Sequence, residues 1–522
     1  MATDRKTPGV YIQELDAFPN SVAQVETAIP AFIGYTPQAA LNGKPCWFEP
    51  VKVHSMGEFL AVFGFSADPV TGQSPPQYAP SYYITQQKKA PAKGDYYTFN
   101  GNVYTIEPDP DTVYYLYNSV KLFFENGGTQ AYIVSTGGYG PASGSPVDAG
   151  AAIVNLNVKL ADLTKGLKAL LKFPDVTLYV FPEATLLSSE ENGTLMEETL
   201  LQCGNMQTAM AIFDVIGGRA PDPILWPQDI QVFRNNTGSN SLDRGVAYYP
   251  FLNTTAAAID DITYGNLNGG KVTTLSELLN PASAPNPAVV KIIDSIVEGN
   301  KLTVRENNAA LMNASKLYQQ ILGIVQAKVN ILPPSGIMAG VYSLVDATKG
   351  VWTAPANVAP VGVTDVTIRL SDQDQAGLNV DAVSGKSINA IRFFNGRGVL
   401  VWGARTLDGN SQDWRYINVR RTITMIEQSA KHAVMAYVFE PNDANTWAAV
   451  KGMLDNFLTN LWRDGALQGA KPSDAFAVQI GLGSTMTAQD VLDNLMRVNV
   501  MVAVTHPAEF IIITIEQQQA TT

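Results

Sequence analysis

Cysteine, histidine and charge are all scarce in this 522-residue chain, which has 2 Cys, 3 His and 16% charged residues. Two isolated thiols, Cys46 and Cys203, exclude a disulfide framework and fit a reducing compartment. With only His54, His432 and His506 available, a zinc site would have to lean on carboxylates or on both distant cysteines. No run of about 18 uncharged apolar residues occurs, which argues against a membrane-spanning helix and direct membrane insertion. The greasy stretch 498–515 is broken by Asn499, His506, Pro507 and Glu509. The first residues lack the apolar segment of a secretory signal, so the expectation is synthesis and assembly in the cytoplasm. Against 35 Lys and Arg stand 47 Asp and Glu, a net charge of −12 without a basic run, and this argues against nucleic acid as a partner. Charge at 16% falls short of the usual ~25%, yet 46% of the residues are apolar. A chain this long buries a large core. Its exterior is short of charge for a solitary protein, so some surface is expected to be covered.

Fragments that imitate chemistry fail on inspection. Gly385-Lys386-Ser387 resembles the end of a phosphate-binding loop, but Val380 stands where its first glycine is required, so the fragment reads as a turn. Asp372-Gln373-Asp374 imitates a calcium loop, but Ala376 replaces an oxygen ligand and Val383 the closing glutamate, which leaves a polar loop. Neither Gly-x-Ser-x-Gly nor His-Glu-x-x-His nor Cys-x-x-Cys occurs. Cys203 falls inside a helical pattern and reads as a buried structural thiol. His506 reads as a loop residue beside a strand rather than a general base. No catalytic, cofactor-binding or metal-ligating residue is assigned.

The middle of the chain alternates as an α/β unit. Helical patterns over 116–125, 160–173 and 199–210 each lead into an apolar run, at 131–134, 176–181 and 211–216. Runs apolar throughout predict strands covered on both faces of a sheet. Asp214, at a strand end, is either a ligand-facing residue or a loop-capping carboxylate. Asn100-Gly101 predicts a type I′ hairpin over 97–104. Segment 287–332 reads as largely helical. Further on, strands are expected at 389–394 and 399–402, helices at 417–433 and 445–462, and strands at 498–504 and 510–515. The last of these is apolar on both faces, and like the β-prone run 7–15 it has no adjacent partner.

A series of motifs then falls in order along nearly the whole chain. It begins with Thr7-Pro8-Gly9-Val10-Tyr11, Phe123-Phe124-Glu125-Asn126-Gly127-Gly128, Pro334-Ser335-Gly336 and Gly350-Val351-Trp352-Thr353-Ala354-Pro355. It continues with Gly396-Arg397-Gly398, Trp402-Gly403-Ala404-Arg405, Trp414-Arg415-Tyr416-Ile417-Asn418-Val419-Arg420-Arg421, Phe439-Glu440-Pro441-Asn442, Gly465-Ala466-Leu467-Gln468-Gly469 and Pro507-Ala508-Glu509-Phe510. As a set these resemble the contractile tail sheath family of phage tails and phage-like injection systems. Trp352, Trp402 and Trp414 read as packing residues of that motif set, beside Arg397, Arg405, Arg420 and Arg421.

The resemblance implies a mixed α/β fold whose sheath core is built from N- and C-terminal segments, with α/β domains inserted. It divides the chain into an arm and first strand (1–33), a variable β/loop insertion (34–115), an α/β middle domain (116–340) and a C-terminal core with a terminal β arm (341–522). It implies arms that add strands to neighbouring subunits. Here these are Pro8, Gly9, Val10, Tyr11 and Ile12 at one end and Phe510, Ile511, Ile512, Ile513 and Ile515 at the other. The implied partners are further copies in stacked hexamers, an inner tube, baseplate and tail terminator or cap proteins, and sheath paralogues. The implied action is contraction from a metastable extended state, with no cofactor. Lys451, Arg463 and Lys471 are candidate inner-tube contacts, although each alone reads as an ordinary solvated charge. One polypeptide carrying both family ends is unlike the sheath of type VI secretion, which is split between two proteins. Two rivals share some features: a non-contractile shell or surface-layer subunit, and an α/β enzyme.

Overall fold

A computed structural model describes residues 22–65 and 80–510. The chain forms two compact units, the larger comprising Glu26–Arg421 with His506–Thr522 and the smaller Met1–Val25 with Thr422–Thr505.

The larger unit is organised by a sheet whose strands run in the order β11-β10-β9-β8-β7-β1-β6-β2. In chain order these are β1 (Pro30–Tyr35) and β2 (Val51–Val53), then β6 (Ala131–Gly137), β7 (Leu178–Val180), β8 (Met210–Asp214), β9 (Gly245–Tyr249), β10 (Asn389–Phe394) and β11 (Gly398–Val401). Strands β3 (Tyr82–Gln87), β4 (Tyr97–Phe99) and β5 (Asn102–Pro108) form a separate sheet. The inner strands of the large sheet are parallel, and the outermost strands β2 and β11 are antiparallel to their neighbours.

Strand β1 is buried at every position, as an apolar run predicts for a sheet covered on both sides. Phe32 meets Phe123 of helix α1 (Leu116–Glu125), ring centroids 5.4 Å apart. The next residue, Ile33, faces Gly166 of α2 (Leu160–Ala169), where an added Cβ would come within 2.7 Å of it. Successive strand residues point to opposite faces, so α1 and α2 lie on opposite sides of the sheet. Helix α3 (Ser189–Met206) begins ten residues before the expected 199, because Ser188 and Glu191 form a reciprocal capping box.

Helices α4 (Pro287–Val297), α5 (Val304–Ala314) and α6 (Lys316–Val329) pack with the β3-β5-β4 sheet around a second apolar cluster containing Tyr82, Ile106, Val289, Leu311 and Leu322. The hairpin turn between β4 and β5 has Asn100 at φ 50° and Gly101 at φ 78°, the conformation that Asn-Gly predicts. Helix α7 (Ser335–Lys349) packs on α1 through Gly336 and Gly340. The acidic fragment expected to be a loop is helix α8 (Asp372–Asn379): Ser371 and Asp374 cap one another and satisfy its first N–H groups. Helix α9 (Ile417–Val434) starts in this unit.

In the smaller unit, α10 (Ala444–Arg463) is capped by Asp443, which accepts from the N–H groups of Asn445 and Thr446. Its buried stripe of Val450, Met453, Leu454, Phe457, Leu458 and Leu461 has the spacing of an amphipathic helix. It packs on β12 (Phe476–Ile480), which pairs antiparallel with β13 (Val498–Val502). Strand β12 was not expected, although its residues Phe476, Val478 and Ile480 alternate as a strand requires.

Candidate assembly site

Two arginine clamps stand where the described chain passes into its two terminal segments. The first belongs to Arg405, just beyond β11. Asn389 fixes its backbone from both sides, accepting from the Arg405 N–H at 2.8 Å and donating to its carbonyl at 2.8 Å. Gly403 is required beside it, since a Cβ there would come within 2.7 Å of Asn389 Oδ1. The Arg405 side chain donates through Nε and Nη2 to Glu509, at 3.0 and 2.6 Å. Tyr416 and Asn379 donate to the same carboxylate at 3.0 and 2.7 Å. Burial opposes ionisation of Glu509, but these donors and the guanidinium outweigh it and hold its pKa below the ordinary value. Glu509 is thereby fixed immediately before Phe510, which is exposed.

The second clamp belongs to Arg421 on α9. Its Nη1 and Nη2 donate to Asp346 of α7 at 2.8 and 2.5 Å, and Nη2 also donates to the carbonyl of Thr27 at 2.9 Å. The Thr27 hydroxyl donates to Asp346 at 2.6 Å. Both charged side chains are buried, and the guanidinium lies 4.8 Å from the centre of the Tyr342 ring. A bidentate geometry with the remaining donor also satisfied is the arrangement that makes a buried ion pair hold its geometry. The N-terminal segment is therefore tied to α7 and to the first turn of α9.

The remaining motif residues have partners of their own. Arg420 lies 4.1 Å from the centre of the Trp414 ring and 3.6 Å from Asp243. Trp402 packs against Phe394 at 4.7 Å, and Arg397 donates to Asn357 at 2.7 Å. The Trp352 carbonyl accepts from Asn418 at 2.9 Å, and its ring covers Gly350 so closely that no Cβ fits there. Asp346 and Thr27 stand in none of the sequence motifs, and Glu509 stands in one, Pro507-Ala508-Glu509-Phe510, without an assigned role. The signal for Glu509 was present as a lone acid before an apolar run, but its partner is 104 residues away.

Pro8, Gly9, Val10, Tyr11, Ile12, Ile511, Ile512, Ile513 and Ile515 lie outside the described residues. Of the candidate cations, Lys451 pairs with Asp455 at 2.7 Å and Lys471 reaches Asp474 at 3.9 Å, while Arg463 is exposed.

Among the described residues the β12/β13 pair has no third strand, and one of its faces is incompletely covered. Phe476↔Val502, Val478↔Val500 and Ile480↔Val498 lie on one face of the pair, yet Val498, Val500 and Val502 are only half-buried. Among the described residues β12 and β13 form a sheet of two strands, so each presents an edge of backbone donors and acceptors.

Other polar residues singled out have structural partners. Asp214 is a cap: it accepts from the Ser335 N–H and hydroxyl at the start of α7, at 2.8 and 2.5 Å. Lys386 donates to the Arg234 carbonyl, and Cys203 is buried in α3. His506 lies edge-on to Tyr416 at 6.1 Å. Among the described residues no group of three His, Cys, Asp or Glu is placed to hold a metal, and no helix is long and apolar enough to cross a membrane.

Residues 410–518 match the family model of the phage tail sheath C-terminal domain. The tail sheath protein of Burkholderia phage BcepMu is 31% identical over 142 residues, 27% of this chain and 30% of that protein. The tail sheath protein of Vibrio phage KVP40 is 28% identical over 130 residues, 25% of this chain and 19% of that protein. The chain thus spans less than a third of the length of the curated relatives it matches. The structure of the sheath complex of an extracellular contractile injection system, PVC, in its contracted state matches 99% of both chains with a TM-score of 0.59 and 25% identity.

Proposed function

The chain is homologous to the contractile sheath proteins of phage tails and of the PVC injection system, and on that premise we propose that it is a structural, non-catalytic subunit of a contractile sheath. Copies stack as hexameric rings into a helical tube around an inner tube, bounded by baseplate and terminator proteins. The tube shortens once, from a metastable extended state, and drives the inner tube into a target membrane. The particle assembles in the cytoplasm. Contraction draws on subunit packing, for which obligate interfaces of ~2,000–5,000 Å² repeated along a tube supply a large total.

The observation that carries this reading is the β12/β13 pair, which among the described residues has no third strand and a half-covered valine row. A strand from another copy laid along the pair's edge satisfies the backbone groups and covers Val498, Val500 and Val502 with its alternate side chains. The two apolar terminal segments, around Val10 and Ile512, supply such strands, and the Arg421 and Arg405 clamps hold their roots. Lys451, Arg463 and Lys471 are contacts for an acidic face of the inner tube.

Deleting residues 1–15 tests the exchange. The truncated chain is expected to fold and stay dispersed, seen by circular dichroism and electron microscopy, while the full chain forms striated tubes. Normal tubes from the truncated chain overturn the exchange. Reversing the charge of Lys451, Arg463 and Lys471 together is expected to abolish sheath-covered inner tubes, and their recovery rejects that contact.

A further inference from the structure

Among the described residues of the larger unit, two carboxyl groups are buried without a countercharge. Glu183 lies just beyond β7 and Asp214 ends the neighbouring β8, so both sit at the carboxyl ends of parallel strands. Glu183 Oε1 accepts from the N–H groups of Tyr115 and Leu116, at 3.1 and 2.7 Å, where α1 begins. Its Oε2 is buried with no hydrogen-bond partner. That oxygen lies against Gly34, where even a Cβ would come within 2.1 Å. Asp214 closes the start of α7 through Ser335. Each acid therefore caps one of two helices that touch along their backbones. A Cβ on Gly336 would come within 2.7 Å of Ser119, and one on Gly340 within 2.6 Å of the Phe123 carbonyl.

Glu183 acts electrostatically on four phenols: Tyr35 of β1, Tyr114 and Tyr115 ahead of α1, and Tyr139 beyond β6. Tyr115 also faces Asp214, and Arg219 faces Tyr115. Burial outweighs the capping N–H donors and pushes Glu183 up to about 8; it likewise pushes Asp214 up to about 7. At the far end of α7, Asp346 holds Arg421 and, through Thr27, the root of the N-terminal segment.

We propose that α1 and α7 form a proton-dependent latch, seated while Glu183 and Asp214 carry protons and loosened when these ionise, which moves Asp346 and the chain root it holds. The consequence for the N-terminal segment rests on the sheath reading above; the latch itself does not. An ionised, uncompensated carboxylate is far costlier to bury than a neutral one, so loosening exposes each group to water and releases one proton from it. Both folded values lie above the ordinary carboxylate range, so seating takes up protons. Its stability is present at low pH and is lost as pH rises toward about 7 and about 8.

The test is hydrogen exchange of the α7 amides in the unassembled full chain across that window, corrected for base-catalysed exchange. The opening constant is expected to rise toward tenfold per pH unit for each acid released. In the double variant Glu183→Gln and Asp214→Asn it is expected to stay flat. Equal slopes in the two proteins, or no slope in the wild type, overturn the latch. If the double variant does not fold, infrared spectroscopy of the wild type decides. A protonated-carboxyl band present at about pH 6 and lost above about pH 8 supports the latch, and its absence at about pH 6 overturns it. Assembly is not needed for either readout, so failure here leaves strand exchange standing, and failure of strand exchange leaves the slope.

Discussion

In the larger unit, Phe32 and Ile33 are wholly buried between helices on both faces of a sheet. In residues 422–505, by contrast, Val498, Val500 and Val502 of a strand are half-covered, beside exposed Met435, Val438, Phe439, Leu482, Leu492 and Leu495. The larger unit also exposes apolar side chains such as Leu156, Ile224 and Val383, which lie outside its strands. Phe439 is fully exposed and holds φ at 75°, a conformation uncommon for a bulky residue. Both units have helix caps and turns in order, so the difference is not one of local design. On the sheath reading proposed above, the half-covered face of this unit is where another copy packs.

The contrast predicts where substitutions act. The largest effect is expected from Asp346→Ala, which strands the buried Arg421 charge and should cost about 3–5 kcal/mol of stability in urea unfolding. Gly340→Val drives a side chain into the Phe123 carbonyl and should cost about 1–3 kcal/mol, with the loss read in the same transition. The Arg405 clamp should weaken in acid. The pKa of Glu509 is lowered in the folded chain, so its contribution is present above its ordinary unfolded value and is lost as pH falls through the folded one. Glu509→Gln should flatten that acid limb, in the opposite sense to the latch acids. The smallest effect on the lone chain is expected from Phe439→Ser or Met501→Thr, within about ±0.5 kcal/mol. A large loss of lone-chain stability from either would mean that these residues belong to the unit's own core, and the contrast would fail.

Much of the larger unit was legible because its signals are local. The stripe of 116–125, the apolar runs at β6, β7 and β8 and the Asn100-Gly101 turn each fix their element within a dozen residues. Helix α8 was missed because Asp372 and Asp374 look like ligands, and only Ser371 three residues before Asp374 betrays a cap. The clamps were legible in half: the arginines stood in recognisable motifs, but Asp346 is 75 residues from Arg421 and Glu509 is 104 from Arg405. Such pairings depend on topology, which periodicity does not report. The same holds for β13, whose partner β12 lies across an intervening loop and short helix.

The most direct test of the central claim, that residues 422–505 are completed by another copy, is hydrogen exchange at the β13 amides that do not bond to β12. These amides should exchange freely in the dispersed chain and become protected in assembled tubes, together with loss of solvent access at Val498, Val500 and Val502. Equal exchange in the two states would contradict the account.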